Sequence, residues 1–156
     1  MIVGDGGDWL GAFKGYDARF IERLCQILPT TVQALGGNPK EDEITLDLIA
    51  RFQFDQVIRQ CFYAWEFQFE PTGIDQNGAH FSKGKIDLAL FWDQDRRKYL
   101  AYEAKRLNVT NATGLSTLAV PYVKEGMYRF VSEQYSEGLP FGCMLGYVLN
   151  GDLASV

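Results

Sequence analysis

The 156-residue sequence lacks the features that mark a membrane-spanning or secreted protein. No apolar run approaches the ~18–20 residues that a transmembrane helix needs. The first residues carry neither the cationic nor the apolar segment of a signal peptide. The three cysteines lie far apart and form no Cys-x-x-Cys pair, which argues against a disulfide framework and against a zinc site. We therefore expect a cytoplasmic protein without a membrane partner.

Histidine and basic charge are scarce as well. The one histidine, His80, lies in a polar stretch without a neighbouring nucleophile or base, so solvation or a DNA contact is favoured over catalysis. Fifteen Lys and Arg against 20 Asp and Glu leave a net charge of −5, which is not typical of a nucleic-acid binder. The segment 83–106 is the exception, with 7 basic and 4 acidic side chains. Those charges suit either a nucleic-acid contact or a solvated turn.

Apolar periodicity predicts a domain that combines helices with a sheet. We expect Pro29 to end a first helix and Asn38 to begin a second, which keeps its helical spacing to Phe62. Residues 1–37 are predicted to form an arm with a helix, and 38–156 the core domain. The predicted elements are helices over 16–28, 38–62 and 118–135, strands over 63–70 and 141–149, a hairpin within 84–108, and polar loops over 71–83 and 109–116. Helices before and after the strands indicate a layered α/β fold with helices on both faces of the sheet.

The stretch 84–108 organises the rest of the sequence. Two apolar runs flank a polar turn, a pattern typical of a β-hairpin. Folded symmetrically about Asp95, the hairpin places Asp87 on its first strand directly opposite Glu103 on its second. Lys105 shares a strand face with Glu103, because side chains alternate along a strand. The hairpin register therefore predicts two carboxylates and an amine close together.

Like charges that oppose each other directly across two strands destabilise a sheet. A divalent cation between Asp87 and Glu103 would remove that cost, and opposed alanines beside the pair leave room for it. The residues by themselves therefore predict a metal-assisted hydrolytic site. The alternative is a plain ion pair between Glu103 and Lys105, which stabilises little at a surface and does not explain Asp87.

The charged residues of this hairpin resemble those of a known group of enzymes. A Gly-x-x-Asp pattern that ends at Asp87, followed by Glu103-Ala-Lys105, resembles the motif of the PD-(D/E)xK nuclease superfamily, the restriction-endonuclease-like fold. The resemblance spans 38–149, and Ile86 stands where the motif has proline. It implies a three-layer α/β/α sandwich around a central four-stranded mixed sheet.

The same resemblance implies a metal-dependent active site. Mg²⁺, with Mn²⁺ as a substitute, would be held by Asp87, Glu103 and the backbone carbonyl of Ala104. Lys105 would lie beside the attacking water. Members of the superfamily often add an acidic residue from the first core helix, and Glu43 is the matching candidate. The alternative for Glu43 is that it only complements the dipole at the start of a helix.

Further side chains are candidates for contacts with DNA. The basic residues around the hairpin are Lys83, Lys85, Arg96, Arg97 and Arg106, and such residues neutralise backbone phosphates. The predicted last helix adds the polar candidates Lys124, Tyr128, Arg129 and Gln134. The resemblance also implies that a glutamine or tyrosine of this helix can join the active site, for which Gln134 and Tyr135 are the candidates. Because cutting both strands of a duplex usually needs two active sites, a homodimer is the candidate assembly.

Three functions remain open from the sequence. The leading one is a Mg²⁺-dependent deoxyribonuclease, an endonuclease or exonuclease of a restriction, phage-defence or repair system. The second is a catalytically inactive nucleic-acid-binding or assembly subunit on the same fold. The third is an unrelated small α/β binding protein, in which Asp87 and Glu103 would lie on opposite faces of the sheet.

Overall fold

The computed structural model describes residues 18–132 and 142–152, so the predicted arm over 1–15 lies outside the described residues. The helices are α1 (Ala18–Leu35), α2 (Glu41–Phe52) and α3 (Gln56–Cys61), then α4 (Ala119–Pro121), a π-helical section (Tyr122–Met127) and α5 (Tyr128–Val131). The strands are β1 (Ala64–Phe69), β2 (Thr72–Ile74), β3 (His80–Ser82), β4 (Ile86–Phe91), β5 (Tyr99–Arg106), β6 (Asn108–Asn111), β7 (Gly114–Thr117) and β8 (Gly142–Tyr147). The expected mixed α/β fold is confirmed.

Four strands form one mixed sheet in the order β1-β4-β5-β8. The pairs β1–β4 and β4–β5 are antiparallel, whereas β5 and β8 are parallel. The predicted hairpin is β4–β5, and its ladder pairs Leu88 with Tyr102, and Phe91 with Tyr99. These pairs confirm the register that symmetry about Asp95 predicts, but the predicted pair of Asp87 with Glu103 is not part of the ladder, which stops at Leu88 and Tyr102.

The main core lies between this sheet and helices α1–α3. Alternate residues of β4 and β5 face the helices, and they are Leu88, Leu90, Leu100, Tyr102 and Ala104. Phe20 of α1 is 1% exposed, and its ring centroid lies 4.8 Å from that of Phe62. A smaller cluster on the opposite sheet face consists of Ile86, Ala89, Phe91 and Ala101, with Phe130 of α5 packed against it. The sheet thus has helical segments on both sides.

The prediction that Pro29 ends the first helix is wrong. A proline inside a helix removes one N–H donor and strains the preceding turn, yet α1 continues to Leu35 with Pro29 inside it. Ile27 is buried and Leu28 and Val32 pack against the core, so tertiary contacts offset the local cost. The chain leaves the helix at Gly36, whose φ of +61° favours glycine.

The second predicted helix is divided in two. α2 ends at Phe52, and the side chain of Asp55 then accepts hydrogen bonds from the amides of Val57 (3.0 Å) and Ile58 (3.1 Å). An aspartate in this position is a strong N-cap. The carboxylate of Asp55 also pairs with Arg23 of α1, so the new helix start is tied to the first helix.

The two predicted polar loops each contain a short hairpin, so the expectation of irregular loops is wrong. β2 pairs with β3 and β6 pairs with β7, both antiparallel. In the first turn Asp75 accepts from the amide of Asn77 at 2.8 Å, and in the second Asn111 accepts from the amide of Thr113 at 2.9 Å. Such side-chain turns nucleate local pairing that hydrophobic periodicity does not reveal.

The last helix and strand differ in detail from their predictions. The helix is described to Val131 and has a π-helical section in its middle. The nearly continuous apolar sequence over 141–149 predicts a last strand that is buried on both faces. That prediction is wrong, because β8 lies last in the sheet order and only Leu145 and Tyr147 along it are buried. Among the described residues, no helix has the length and apolar character to cross a membrane.

Candidate active site

Asp87 meets strand β5 at the point where the β4–β5 ladder stops. The last paired residues are Leu88 and Tyr102. One residue further, the Asp87 Oδ2 atom accepts a hydrogen bond of 2.8 Å from the amide of Ala104. A side chain has therefore replaced the backbone partner at this position. Because the N–H and C=O of one strand residue point to the same side, the carbonyl of Ala104 also faces the β4 side of β5.

Glu103 is fully buried, although it carries a carboxylate. It alternates with Tyr102 and Ala104, so it lies on the sheet face opposite the main core. The π-helical section covers it, because a Cβ atom on Gly126 would lie in van der Waals contact with the Glu103 Cγ atom, at 3.6 Å. The same position faces the terminal methyl group of Met144, for which glycine leaves room.

A chain of charge contacts runs through Glu103. Its Oε1 atom accepts a hydrogen bond of 2.6 Å from Nη1 of Arg129 and lies 3.2 Å from Nζ of Lys105. Lys105 in turn donates to Oε1 of Glu41 at 3.0 Å. The other Glu41 oxygen accepts from the amide of Arg106 at 2.9 Å. With Asp87, three carboxylates thus meet two cations, which leaves a formal excess of one negative charge.

One oxygen in this network has no partner. Within residues 18–132 and 142–152, the Glu103 Oε2 atom is buried and makes no hydrogen bond. Leaving a buried polar atom unsatisfied costs ~1–3 kcal/mol, and more for a charged group. Such an atom at the centre of a charge cluster is a place where a proton or a cation would be stabilised.

Burial controls the protonation of both acids on the hairpin. Burial, reinforced by the charge of Asp87, raises the pKa of Glu103 from 4.5 to about 7, against the opposing effects of Lys105 and Arg129. Burial also raises the pKa of Asp87, although the amide of Ala104 stabilises its ionised form. Close to neutral pH, Glu103 is therefore poised between its charged and neutral forms.

The surroundings of Lys105 raise its pKa; they do not lower it. Burial alone would lower the pKa, but the hydrogen bond to Glu41 and the charges of Glu103, Glu41 and Asp87 outweigh burial and raise it. Lys105 is therefore a firmly protonated ammonium in this arrangement. It is suited to orient a water and to stabilise negative charge, rather than to accept a proton.

The raised pKa of Glu103 gives a pH dependence of stability. An acid that holds its proton more tightly in the folded state stabilises the fold below its unfolded pKa, and this contribution is lost as pH rises to the folded pKa. Between pH 4.5 and about 7, we expect the free energy of unfolding of the metal-free protein to fall by on the order of 3 kcal/mol more than that of Glu103→Gln. Urea denaturation at a series of pH values measures this difference. Parallel pH profiles for the two proteins would contradict the assignment.

The structure brings most of the predicted catalytic and metal-binding residues together. Asp87, Glu103, Ala104 and Lys105 meet at the end of β5. Glu43 does not join them, because it is exposed and its carboxylate accepts a hydrogen bond of 2.7 Å from the amide of Lys40. This is the helix-start role that was the alternative for Glu43.

Glu41 is the site residue that sequence reasoning missed. A helix capped by Asn38 would make Glu41, three residues further on, the capping acid. α2 instead begins at Glu41, two residues later than such a cap implies, so Glu43 takes the capping role. A signal was nevertheless present. Glu41 lies three and seven residues before Ile44 and Leu48, which are buried, so helical periodicity places it on the inward face.

The residues that were predicted to contact DNA, where the structure describes them, have partners of their own. Lys85 forms a 3.5 Å ion pair with Glu70, and Lys83 donates its amide to the Pro71 carbonyl at 2.9 Å. The guanidinium of Arg106 donates to the Pro39 carbonyl at 3.2 Å, so it braces the start of α2. Gln134 and Tyr135 lie outside the described residues. Arg129, one of the broader substrate candidates, contacts Glu103 directly.

The donor set suits a hard cation with few protein ligands. In the part of the chain that the structure describes, no group of three or more His, Cys, Asp or Glu side chains is arranged to hold a metal ion. Two carboxylates are the relevant pair, since Lys105 and the Arg106 amide already engage Glu41. Mg²⁺ commonly uses one or two carboxylates and completes its shell with water and phosphate oxygens. Asp87, the unpartnered Glu103 oxygen and the Ala104 carbonyl fit that pattern.

Comparisons with known proteins do not add a relative. No protein-family model matches the chain, and no curated protein or solved structure matches it significantly. The interpretation of the site therefore depends on its residues and their geometry.

Proposed function

We propose that the protein is a metal-dependent nuclease that hydrolyses DNA phosphodiester bonds, on a three-layer α/β/α fold of the restriction-endonuclease-like type. The unpartnered, buried Glu103 oxygen is the observation that carries the proposal. It lies in a cluster with one excess negative charge, next to Asp87, which the hairpin register predicts as its neighbour. Helical segments on both faces of the mixed sheet support the fold.

The residues divide the work of the proposed reaction. Asp87, Glu103 and the Ala104 carbonyl would hold Mg²⁺, which supplies Lewis-acid polarisation of the phosphodiester and a more acidic bound water. Lys105 orients the attacking water and stabilises the negative charge that builds up on the phosphate. Glu41 fixes the ammonium of Lys105 through its 3.0 Å hydrogen bond. Its second oxygen holds the end of β5 in place.

Metal binding is the first test of this proposal. We expect the wild-type protein to bind one Mn²⁺, displaced by Mg²⁺, and Asp87→Asn to weaken that binding by about tenfold or more, since it removes one of two carboxylates. Isothermal titration calorimetry and Mn²⁺ electron paramagnetic resonance measure the affinity. A parallel assay follows nicking of supercoiled plasmid DNA in Mg²⁺.

Asp95→Asn is the matched control for this test. Asp95 is an exposed aspartate in the turn of the same hairpin, so its replacement removes the same charge far from the cluster. Its Mn²⁺ affinity should equal that of the wild type. Equal Mn²⁺ affinities in wild type and Asp87→Asn, together with intact plasmid, would remove the proposal.

A specific observation favours a second candidate, a catalytically inactive nucleic-acid-binding or assembly subunit. Glu103 is fully buried and its Oε1 atom is already paired with Arg129 and Lys105, so the cluster satisfies most of its own charge. In such a subunit the network would serve to hold β5, α2 and α5 together. This candidate predicts DNA binding without Mn²⁺ binding at Asp87, so the titration above separates the two functions.

A further inference from the structure

Arg129 lies between the buried Glu103 and the protein surface. Its Nη1 atom donates to the Glu103 Oε1 atom at 2.6 Å, and the Glu103 side chain is 0% exposed whereas that of Arg129 is 36% exposed. The guanidinium therefore connects the buried carboxylate with the surface of the protein. Its charge also acts on Asp87, whose ionised form it stabilises.

The packing of the last helix holds Arg129 in position for this contact. The π-helical section packs over Glu103 at Gly126, and π-helical turns are frequent at functional sites. The π-helical section is followed directly by α5, which carries both Arg129 and Phe130. Phe130 packs against the smaller cluster on the sheet. The backbone on both sides of Arg129 is thus held, and the side chain spans from the helix to the carboxylate.

A cation and this guanidinium compete for the same carboxylate. Arg129 carries a full positive charge, and two like charges a few ångströms apart in a buried site repel each other strongly. A guanidinium also binds phosphate in its planar fork, often through two parallel hydrogen bonds. A phosphate at the protein surface offers Arg129 an alternative anion to Glu103.

We infer that Arg129 is a latch shared between Glu103 and a substrate phosphate, so that the carboxylate opens to a divalent cation when a phosphodiester anion draws the guanidinium away. The inference deepens the proposed function and rests on it. DNA and the cation then bind cooperatively, because each favours the arrangement with Arg129 moved off Glu103. By linkage, DNA must raise cation affinity by the factor by which the cation raises DNA affinity.

Mn²⁺ affinity in Arg129→Met tests the first half of the inference. Methionine keeps the apolar stem and removes the charge, so we expect Mn²⁺ to bind about tenfold more tightly than to wild type in the absence of DNA. Arg59→Met, at an exposed position of α3, removes the same charge away from the site and should leave the affinity unchanged. An Arg129→Met affinity equal to or weaker than wild type would overturn the latch, since Arg129 would then only neutralise the buried acid.

The second half concerns the coupling with DNA. Lys105→Ala is compared with Lys105→Ala/Arg129→Met. Both proteins lack Lys105, so that cleavage does not disturb the equilibrium. Mn²⁺ is titrated into each protein with and without a short DNA duplex. We expect the duplex to increase Mn²⁺ affinity more in the first protein than in the second, because phosphate oxygens that coordinate the cation couple the two ligands in both proteins and the latch adds to that coupling only where Arg129 is present. An equal effect of the duplex in both proteins would overturn the latch.

Two further readouts keep the outcomes distinct. Thermal unfolding of each metal-free variant reports whether it folds. If Arg129→Met does not fold, Arg129→Gln, which also removes the charge, is judged by the same criteria. If Asp87→Asn lowers Mn²⁺ affinity while Arg129 variants do not change it, the latch fails and the proposed function stands. If Asp87→Asn changes nothing, both fail.

Discussion

Replacement of Lys105 by alanine is expected to lower the rate of DNA nicking by about 10²-fold or more, the scale of losing one preorganised group that stabilises transition-state charge. Lys105 is the ammonium that bridges Glu41 and Glu103, and their charges keep it protonated. Mn²⁺ affinity should be maintained or increased, because the substitution removes a positive charge beside the carboxylates. The loss would therefore appear in turnover and not in metal binding.

Plasmid nicking in Mg²⁺, followed over time for wild type and variant, measures this effect. Lys98→Ala is the matched control, since Lys98 is an exposed lysine of the same hairpin. Circular dichroism shows whether the variant keeps its fold. Wild-type turnover in a folded Lys105→Ala protein would leave the proposed chemistry without its charge-stabilising group.

Phe20→Ala is expected to lower the free energy of unfolding by about 3–5 kcal/mol, the range for removal of a buried phenylalanine. The ring of Phe20 lies edge-on to three others, with centroids 4.8 Å from Phe62, 6.3 Å from Phe52 and 6.4 Å from Tyr102. It joins α1 to the sheet that carries the site. A loss of this size would show that α1 is energetically part of the core.

Urea denaturation measures the effect, from the shift in midpoint at an unchanged slope. Phe54→Ala is the control, because Phe54 is the same residue type at 85% exposure and should change stability by no more than about 0.5 kcal/mol. If the Phe20 and Phe54 variants lose equal stability, α1 contributes little to the core.

The charge cluster is the feature in which local stability and proposed chemistry conflict most clearly. A fully buried glutamate with an unpartnered oxygen is costly, and a hydrophobic residue at position 103 would pack without that cost. Proteins retain such groups most often where a function requires them. The predictions for Lys105, Arg129 and the pH dependence of Glu103 test different parts of this one cluster.

The sequence by itself determined the sheet register around the site. Strand alternation and the polar turn were enough to pair Leu88 with Tyr102, and so to bring Asp87 beside the end of β5. These are short-range regularities, since a hairpin closes on its nearest neighbour and its side chains alternate with a period of two. For the same reason the motif that ends in Lys105 could be assigned to one strand.

Only the tertiary structure decided which other groups reach that place. α2 begins two residues later than the sequence predicts, so that Glu41 and Glu43 exchange roles. A helix far along the chain supplies Arg129 to Glu103. The burial of Glu103, and with it the direction of its pKa, came from the close approach of Gly126. These contacts join segments that are distant in sequence, so their geometry depends on the packing of whole helices against the sheet, which local periodicity does not specify.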